Sequence, residues 1–341
     1  MSADAAPRRV RPGLEDHGLR LTLAVMAALL AGLCWDNPLV ALIAPLLTAV
    51  LMAPAAPAPS AARIIAAPVV IWLVCGAIAG VATLLAQDDA VLLLLVGTAV
   101  FLCFRSDAAN GPSPLTGLLL ILIVTVAPTS AVAGAYAGDL VEAMAWGVLI
   151  AMLGAALAHV LLPVRRPAAA AAAARAFSPD RGLRTPLVKT LLLMVLVAWF
   201  VVTDKTNALY ILVTAATVLR MPASTSLAAG LVLSNFVGGA LAICIGGLTL
   251  AISSDLFTLL AFAAMILVLG LTIEGGGNRG LIAQGAVSAS IILFALTVMP
   301  VDGSSAYVER VLEVAATMLY VVLGRAAFAS APDRSPRPQP A

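Results

Sequence analysis

Long apolar runs, separated by short polar or proline- and glycine-rich breaks, occupy most of the chain. They are rich in Leu and Ala and lack strict polar–apolar alternation, which predicts helices and not the strands of a membrane barrel. Several runs approach the ~20 residues that a helix needs to cross a bilayer. Dividing the chain at its polar points predicts twelve spans, at 19–34, 38–53, 62–86, 90–105, 115–132, 139–162, 185–202, 207–221, 227–252, 255–273, 280–299 and 305–327.

Composition decides which solvent surrounds these helices. Hydrophobic residues make up 62% of the 341 residues, charged residues only 11%, and the mean hydropathy is +1.09. A soluble domain has about 25% charged residues, so this chain cannot cover its surface with polar groups. We therefore predict an all-α polytopic membrane protein whose main partner is the lipid bilayer.

The distribution of basic residues predicts the orientation of the spans. If the N-terminus is cytoplasmic and the spans alternate, 17 of the 19 Lys and Arg residues lie inside, and only Lys205 and Arg310 lie outside. Such a bias is typical of cytoplasmic loops. It predicts that both termini lie in the cytoplasm, and the polar ends of the chain predict a disordered arm at 1–18 and a disordered tail at 328–341.

The chain repeats itself at a distance of 168 positions. Pro54 matches Pro222 at this offset, and the same offset also matches Asp36 to Asp204, Asn110 to Asn278 and Gly117 to Gly285. We predict two six-helix repeats, 19–162 and 185–327, joined by an Ala-rich cytoplasmic linker at 163–184. Because six is even, both repeats enter the membrane in the same orientation, related by a pseudo-twofold axis along its normal.

Each repeat begins with a basic residue, has a short second helix ending at a proline, and continues into a third helix rich in small residues. The third helices contain "VCGAIAG" at 74–80 and "VGGALA" at 237–242. This arrangement resembles the fusaric-acid-resistance superfamily of bacterial inner-membrane proteins, which includes aromatic acid exporters, and is most similar to its compact branch of unknown function. The larger exporters carry a sizeable cytoplasmic domain after each unit, where this chain has a short linker and a tail. The resemblance implies a bacterial inner-membrane location and export, with a periplasmic adaptor protein as a further partner.

Asn235 is a polar candidate for the transport pathway, because it lies inside the ninth predicted span. It precedes Gly238 and Gly239, and the aligned third span carries Pro68. Helices interrupted at equivalent positions of two repeats mark transporter binding sites. The alternative is that Asn235 bonds across helices and the glycines only let the helices pack closely.

Two carboxylates share a place in the first outer loop of each repeat. Asp36 and Asp204 could couple export to the proton gradient, and Lys205 could pair with Asp204 or meet an anion. Capping or plain solvation is the alternative, because the sequence Asp36-Asn37-Pro38 is a normal helix start in which Asp36 or Asn37 caps and Pro38 lies in the first turn.

Charged and polar residues at the predicted cytoplasmic ends form the remaining candidates. Arg220 lies in the apolar run "TAATVLRMP" and could bind an anionic carboxylate bidentately, although positive-inside topology also explains such arginines. Glu274 and Asn278 belong to the Gly-rich segment "IEGGGNRG", which we expect to turn opposite Asn110. Either a gate or a turn that needs positive φ accounts for these glycines.

We therefore expect a secondary transporter, not an enzyme, that exports small organic compounds of aromatic, anionic or amphipathic character, with proton coupling as an option. An anion-channel-like pore, a non-transporting assembly subunit and, last, a lipid-modifying membrane enzyme remain alternatives. The four cysteines and two histidines lack metal-site spacing, and no phosphate-binding GxxxxGK[ST] motif occurs. We expect no metal, no cofactor and no nucleic-acid partner, and leave homo-oligomerisation open.

Overall fold

The computed structural model describes residues 16–52, 58–111, 113–163, 182–203, 209–220, 225–252, 254–298, 316–317, 319–324 and 327. All regular secondary structure in these segments is helical, as the apolar runs predict. The helices are α1 (His17–Leu33), α2 (Pro38–Leu51), α3 (Ala61–Leu85), α4 (Asp89–Asn110), α5 (Pro114–Val132), α6 (Gly134–Leu161), α7 (Arg184–Thr203), α8 (Leu209–Arg220), α9 (Thr225–Ile252), α10 (Asp255–Glu274) and α11 (Gly277–Val298).

Five of these helices, α3, α4, α6, α7 and α10, are long and apolar enough to cross a membrane, while the other apolar stretches among the described residues are shorter. Their outward side chains are apolar as well. On α3, Ile65 is 72% and Leu84 is 83% exposed. Apolar side chains exposed in this way over a long helix suit contact with lipid, so the structure supports an all-helical membrane protein.

Two helices extend further than the apolar runs predict. α4 continues to Asn110 although the predicted span ends at 105, and α6 begins at Gly134 although the predicted span begins at 139. A polar residue does not end a helix by itself; α4 ends where Gly111 turns the chain with φ 88. Most of the predicted twelfth span, the linker and both terminal segments lie outside the described residues.

Side-chain caps fix several helix starts. Asn37 accepts a hydrogen bond from the Leu39 amide at 3.0 Å, and Pro38 occupies the first turn. The Asn37 amide also donates to the Asp139 carbonyl at 2.8 Å, which ties the start of α2 to α6. Asn37 is therefore the cap at this helix start, and Asp36 is exposed beside it.

Among the described residues, helices α1–α6 meet helices α7–α11 through five main pairs of neighbours. α1 packs against α10, α2 packs against α11, α4 packs against α7, and α5 packs against both α7 and α8. Within the described residues α9 also packs along α11, and α6 packs against α1, α2 and α3. The buried side chains form three apolar clusters, and two of them draw residues from both parts of the chain.

The prediction of interrupted helices is wrong. α9 runs unbroken through Gly238 and Gly239, and α3 runs unbroken through Pro68. Gly238 is small because α11 crosses α9 here: a Cβ on Gly238 would lie 2.5 Å from the Ala286 carbonyl oxygen. The packing alternative thus accounts for Gly238.

Candidate functional site

Arg220 is the last residue of α8 and forms an ion pair with Asp107, in the last turn of α4. Its Nε donates to Asp107 Oδ2 at 2.7 Å, and its Nη2 donates to Oδ1 at 3.2 Å. The contact is bidentate, a geometry that strengthens and orients an arginine–carboxylate pair. The pair joins two helices that are 113 positions apart in the chain.

The start of α5 completes the polar shell around this pair. Arg220 Nη2 also donates to the Ser113 carbonyl oxygen and, at 3.1 Å, to the Thr116 hydroxyl, which itself donates to Asp107 Oδ1. Ser113 caps α5 by accepting from the Thr116 amide at 3.1 Å. We call Asp107, Ser113, Thr116, Gly117 and Arg220 the Arg220 cluster.

Two glycines make this cluster possible. Gly111 has φ 88 and donates its amide to the Asp107 carbonyl at 3.0 Å, so the chain folds back and brings Ser113 onto Asp107. Gly117 leaves room for the guanidinium, because a Cβ there would lie 1.9 Å from Arg220 Nη1.

Burial and helix dipoles both favour the ion pair. The side chains of Arg220 and Asp107 are only 19% and 9% exposed. Arg220 lies at the C-terminus of α8, where a cation is stabilised, and Asp107 faces the N-terminus of α5, where an anion is stabilised. Removing one partner would leave the other charge largely buried and without a counter-ion.

Gly117→Ala tests whether the glycine holds this geometry. We expect the added methyl group to push the guanidinium off Asp107 while both charges remain, with a loss of about 1–2 kcal/mol in the free energy of unfolding. Titration of the purified protein with SDS in mixed micelles measures the loss. Gly138→Ala in α6 is the control, because a Cβ there meets nothing within 4 Å. Equal stability of the two variants would contradict the assigned role of Gly117.

A second polar cluster lies where the first turn of α1 crosses the end of α10. The Gly18 amide donates to Glu274 Oε1 at 2.7 Å, and a Cβ on Gly18 would lie 2.8 Å from the Leu271 backbone nitrogen. Arg20 and His17 are both only 3% exposed. We call His17, Gly18, Arg20, Gly270 and Glu274 the α1–α10 seam.

The predicted turn around Glu274 is shorter than expected. Glu274 ends α10 and Asn278 already belongs to α11, so the turn consists of Gly275 and Gly276, with φ 66 at Gly276. Asn110 is the exposed last residue of α4 and not part of a facing turn. The positive φ supports the alternative in which the glycines serve the turn.

The remaining candidates do not meet in one place among the described residues. Asp36 is exposed, and Gly239 is buried in α9. Asp204, Lys205 and the side chains of Asn235 and Asn278 lie outside what the structure describes. Among the described residues, His, Cys, Asp and Glu form no group of three that could hold a metal ion.

Asp107 is the site residue that sequence reasoning missed. The fourth predicted span ends at 105, which places Asp107 in a loop, whereas α4 carries it another turn as helix. One signal was present: Arg220 lies inside an apolar run and therefore needs a counter-ion, and acidic residues on its predicted side of the membrane are few.

Comparisons of this chain with protein-family models, curated proteins and solved structures found no match.

Proposed function

We propose that this chain is an inner-membrane secondary transporter that exports small organic compounds of aromatic, anionic or amphipathic character. Two six-helix repeats in the same orientation, with both termini in the cytoplasm, would enclose a passage between them. The Arg220 cluster would close this passage at its cytoplasmic end. The proposal rests on the helix bounds, on the contacts between the two halves and on the ion pair between α4 and α8.

The helix bounds support the repeat. A shift of 168 positions carries α1 onto 185–201, where α7 spans Arg184–Thr203. The same shift carries α2 onto 206–219, where α8 spans Leu209–Arg220, and α4 onto 257–278, where α10 spans Asp255–Glu274. Helices of the second half thus recur about 168 positions after those of the first half, although the amino acids at equivalent positions mostly differ.

The contacts between the two halves support a twofold relation between them. Under the 168-position shift α1 corresponds to α7, and α4 corresponds to α10. The contact of α1 with α10 then has the contact of α7 with α4 as its mate, and both contacts are present. The contacts of α2 with α11 and of α8 with α5 form a second mated pair. Four of the five main helix contacts between the halves thus fall into two mated pairs, as a twofold relation requires.

The proposed transport function depends most on one observation, the ion pair between α8 and α4. Charged side chains within membrane helices are costly and mark substrate or ion pathways. Arg220 belongs to the second half, and Asp107 belongs to the first, so opening the boundary between the halves breaks their contact. An anionic substrate offers Arg220 the same two oxygens that Asp107 does, and could replace it bidentately as the boundary opens.

Transport into inverted membrane vesicles tests the proposal. We expect vesicles that contain this protein to accumulate a radiolabelled aromatic carboxylate against its gradient, and we expect a protonophore to abolish the accumulation. Vesicles from the same host without the protein are the control. Protonophore-insensitive flux that only dissipates a gradient would favour a channel-like pore. The absence of flux with intact protein in the vesicles would contradict transport and favour an assembly subunit.

A further inference from the structure

The α1–α10 seam contains a buried histidine, His17, with an unpaired ring nitrogen among the described residues. His17 is 3% exposed, and its Nε2 is buried without a hydrogen bond to any described residue. It lines a small cavity of about 10 Å³ together with Met52 from α2, Gln284 from α11 and four apolar side chains. A buried imidazole nitrogen without a hydrogen-bond partner is costly, so its presence here calls for a functional explanation.

The surroundings of His17 disfavour a positive charge there. Arg20, one turn further along α1, is equally buried, and within the part of the chain that the structure describes its guanidinium makes one long hydrogen bond, of 3.5 Å, to the Leu162 carbonyl. The acidic neighbours are Glu274 on α10, whose Oε1 is already engaged by Gly18, and Asp16, which precedes α1.

The other elements around the cavity add little that could balance a charge on His17. α6 contributes His159, whose Nδ1 lies 2.8 Å from the Ala155 carbonyl. α2 contains no charged residue, and Arg279 of α11 is exposed. Among the described residues, the seam therefore offers one buried carboxylate, Glu274, which already accepts a hydrogen bond from Gly18, while Asp16 is exposed, and Arg20 is a buried cation beside His17.

The cavity also occupies the place that the repeat makes equivalent to the Arg220 cluster. At the offset of 168 positions Met52 corresponds to Arg220, and Gln284 corresponds to Thr116. An ion pair thus joins α4 to α8 on one side of the molecule, whereas the equivalent places on the other side hold a thioether and an amide. A Gly18–Glu274 hydrogen bond and close glycine packing hold the α1–α10 side instead.

We propose that His17 is a proton-binding site and that proton uptake there opens the α1–α10 seam. In the closed seam the imidazole is neutral. When Nε2 takes a proton from water at the predicted cytoplasmic face, the imidazolium and Arg20 repel each other across the first turn of α1. Separation of α1 from α10 lets water reach both cations.

The direction of the pH dependence follows from burial. His17 lies two positions ahead of the predicted span 19–34, and desolvation, then the charge of Arg20, lower its pKa from 6.5 to about 4. Above pH 6.5 the histidine is neutral whether the seam is open or closed, so pH has no effect. Between pH 6.5 and about 4 only the open seam binds the proton, so the closed state is progressively lost. The two pKa values imply a shift of about a hundredfold in the closed-to-open ratio between pH 7 and pH 4.

Histidine NMR tests the site directly, because the chain has only 2 histidines. The full-length His159→Gln variant is labelled with ¹³C,¹⁵N-histidine and placed in lipid nanodiscs, so that His17 gives the single histidine signal. We expect this signal to titrate at least one pH unit below the ordinary value of 6.5 for histidine. Titration at 6.5 would overturn the proposal, because the imidazole would then gain nothing from an open seam.

Spin labels report whether the α1–α10 seam opens as His17 takes up its proton. Nitroxides are placed at Leu19→Cys and Leu271→Cys, two exposed positions on α1 and α10, after the native cysteines are changed to alanine. A matched pair at Leu102→Cys and Leu191→Cys spans the α4–α7 contact, which the repeat makes equivalent to the α1–α10 contact and which lies on the side of the α4–α8 ion pair. We expect the first distance to lengthen on acidification along the titration of His17, and we expect the second distance to stay constant.

His17→Gln separates the proposed switch from general acid effects. This variant keeps a polar side chain that cannot be protonated, and we expect its seam distance to be independent of pH between 7 and 4. The same acid-induced lengthening in His17→Gln, or no lengthening while the His17 signal titrates, would overturn the proposal. Neither measurement needs a transported substrate, so its outcome is independent of the export assay.

Discussion

Asp107→Asn is expected to lower the free energy of unfolding by about 3 kcal/mol and to abolish accumulation in vesicles, because the proposed passage then lacks the ion pair that closes it. The substitution keeps the shape of the side chain but leaves the Arg220 guanidinium, 19% exposed, without its counter-ion. Removing one member of a buried pair costs about 3–5 kcal/mol because the remaining charge stays desolvated, and the partial exposure of Arg220 favours the lower end of that range. SDS titration of the purified protein measures the first effect, and vesicle accumulation measures the second.

A double variant separates the structural contribution of the pair from its contribution to transport. In Asp107→Leu/Arg220→Met both charges are gone, and apolar side chains of similar size fill their place, which is often neutral for stability. We expect this variant to regain most of the lost stability but no export, because no group remains to bind an anion. If export returned with stability, the pair would be purely structural.

Arg105→Met is the matched control for these variants. Arg105 lies on α4, half a turn from Asp107, and is exposed. Surface substitutions away from caps and networks change stability by about 0.5 kcal/mol or less. We expect Arg105→Met to stay within that range and to keep exporting, so that a general loss of positive charge at this end does not explain the result.

The presence and the approximate ends of the helices could be predicted from the sequence. The predicted span 62–86 agrees with α3 at Ala61–Leu85, and 38–53 agrees with α2 at Pro38–Leu51. An apolar run of this length has to form a helix in lipid, because only a helix satisfies its own backbone hydrogen bonds. Capping residues such as Asn37 then set the first turn locally.

The faces by which the helices pack could not be predicted in the same way. α3 is apolar all round, and the structure buries Ile71 and Cys75 while leaving Ile65 and Leu84 exposed. A helix without a polar stripe carries no pattern that distinguishes the protein-facing side from the lipid-facing side. For the same reason the partner of Arg220 was missed: Asp107 reaches it only once α4, α5 and α8 are packed together.

Glycine pairs inside apolar runs are a related ambiguity. From the sequence, Gly238 and Gly239 fit either an unwound helix at a binding site or a close helix crossing. The structure shows α9 continuous and α11 against it, with the Ser290 hydroxyl donating to the Gly238 carbonyl at 3.1 Å. Close approach of two backbones leaves no room for a side chain, and this constraint depends on tertiary structure alone.

Gly238→Ala is therefore expected to be the most damaging single-methyl change in α9. The added Cβ would lie 2.5 Å from the Ala286 carbonyl oxygen, 2.9 Å from the Ala289 Cβ and 3.1 Å from the Ala286 Cα. Two of these atoms belong to the backbone of α11 and cannot rotate away, so the helices must separate along their crossing. Overpacking of this kind costs about 3 kcal/mol, and the better helix propensity of alanine, worth about 1 kcal/mol, offsets only part of it.

Gly247→Ala in the same helix makes the comparison quantitative. A Cβ at Gly247 meets nothing within 4 Å, so this variant gains the same helix propensity without a clash. In SDS titrations we expect Gly247→Ala to be as stable as the parent protein or more stable, and Gly238→Ala to be less stable by about 2 kcal/mol. If both variants unfolded at the same SDS fraction, α9 and α11 would not approach each other at Gly238. The glycine would then have to be explained by the unwound helix that its sequence also allows.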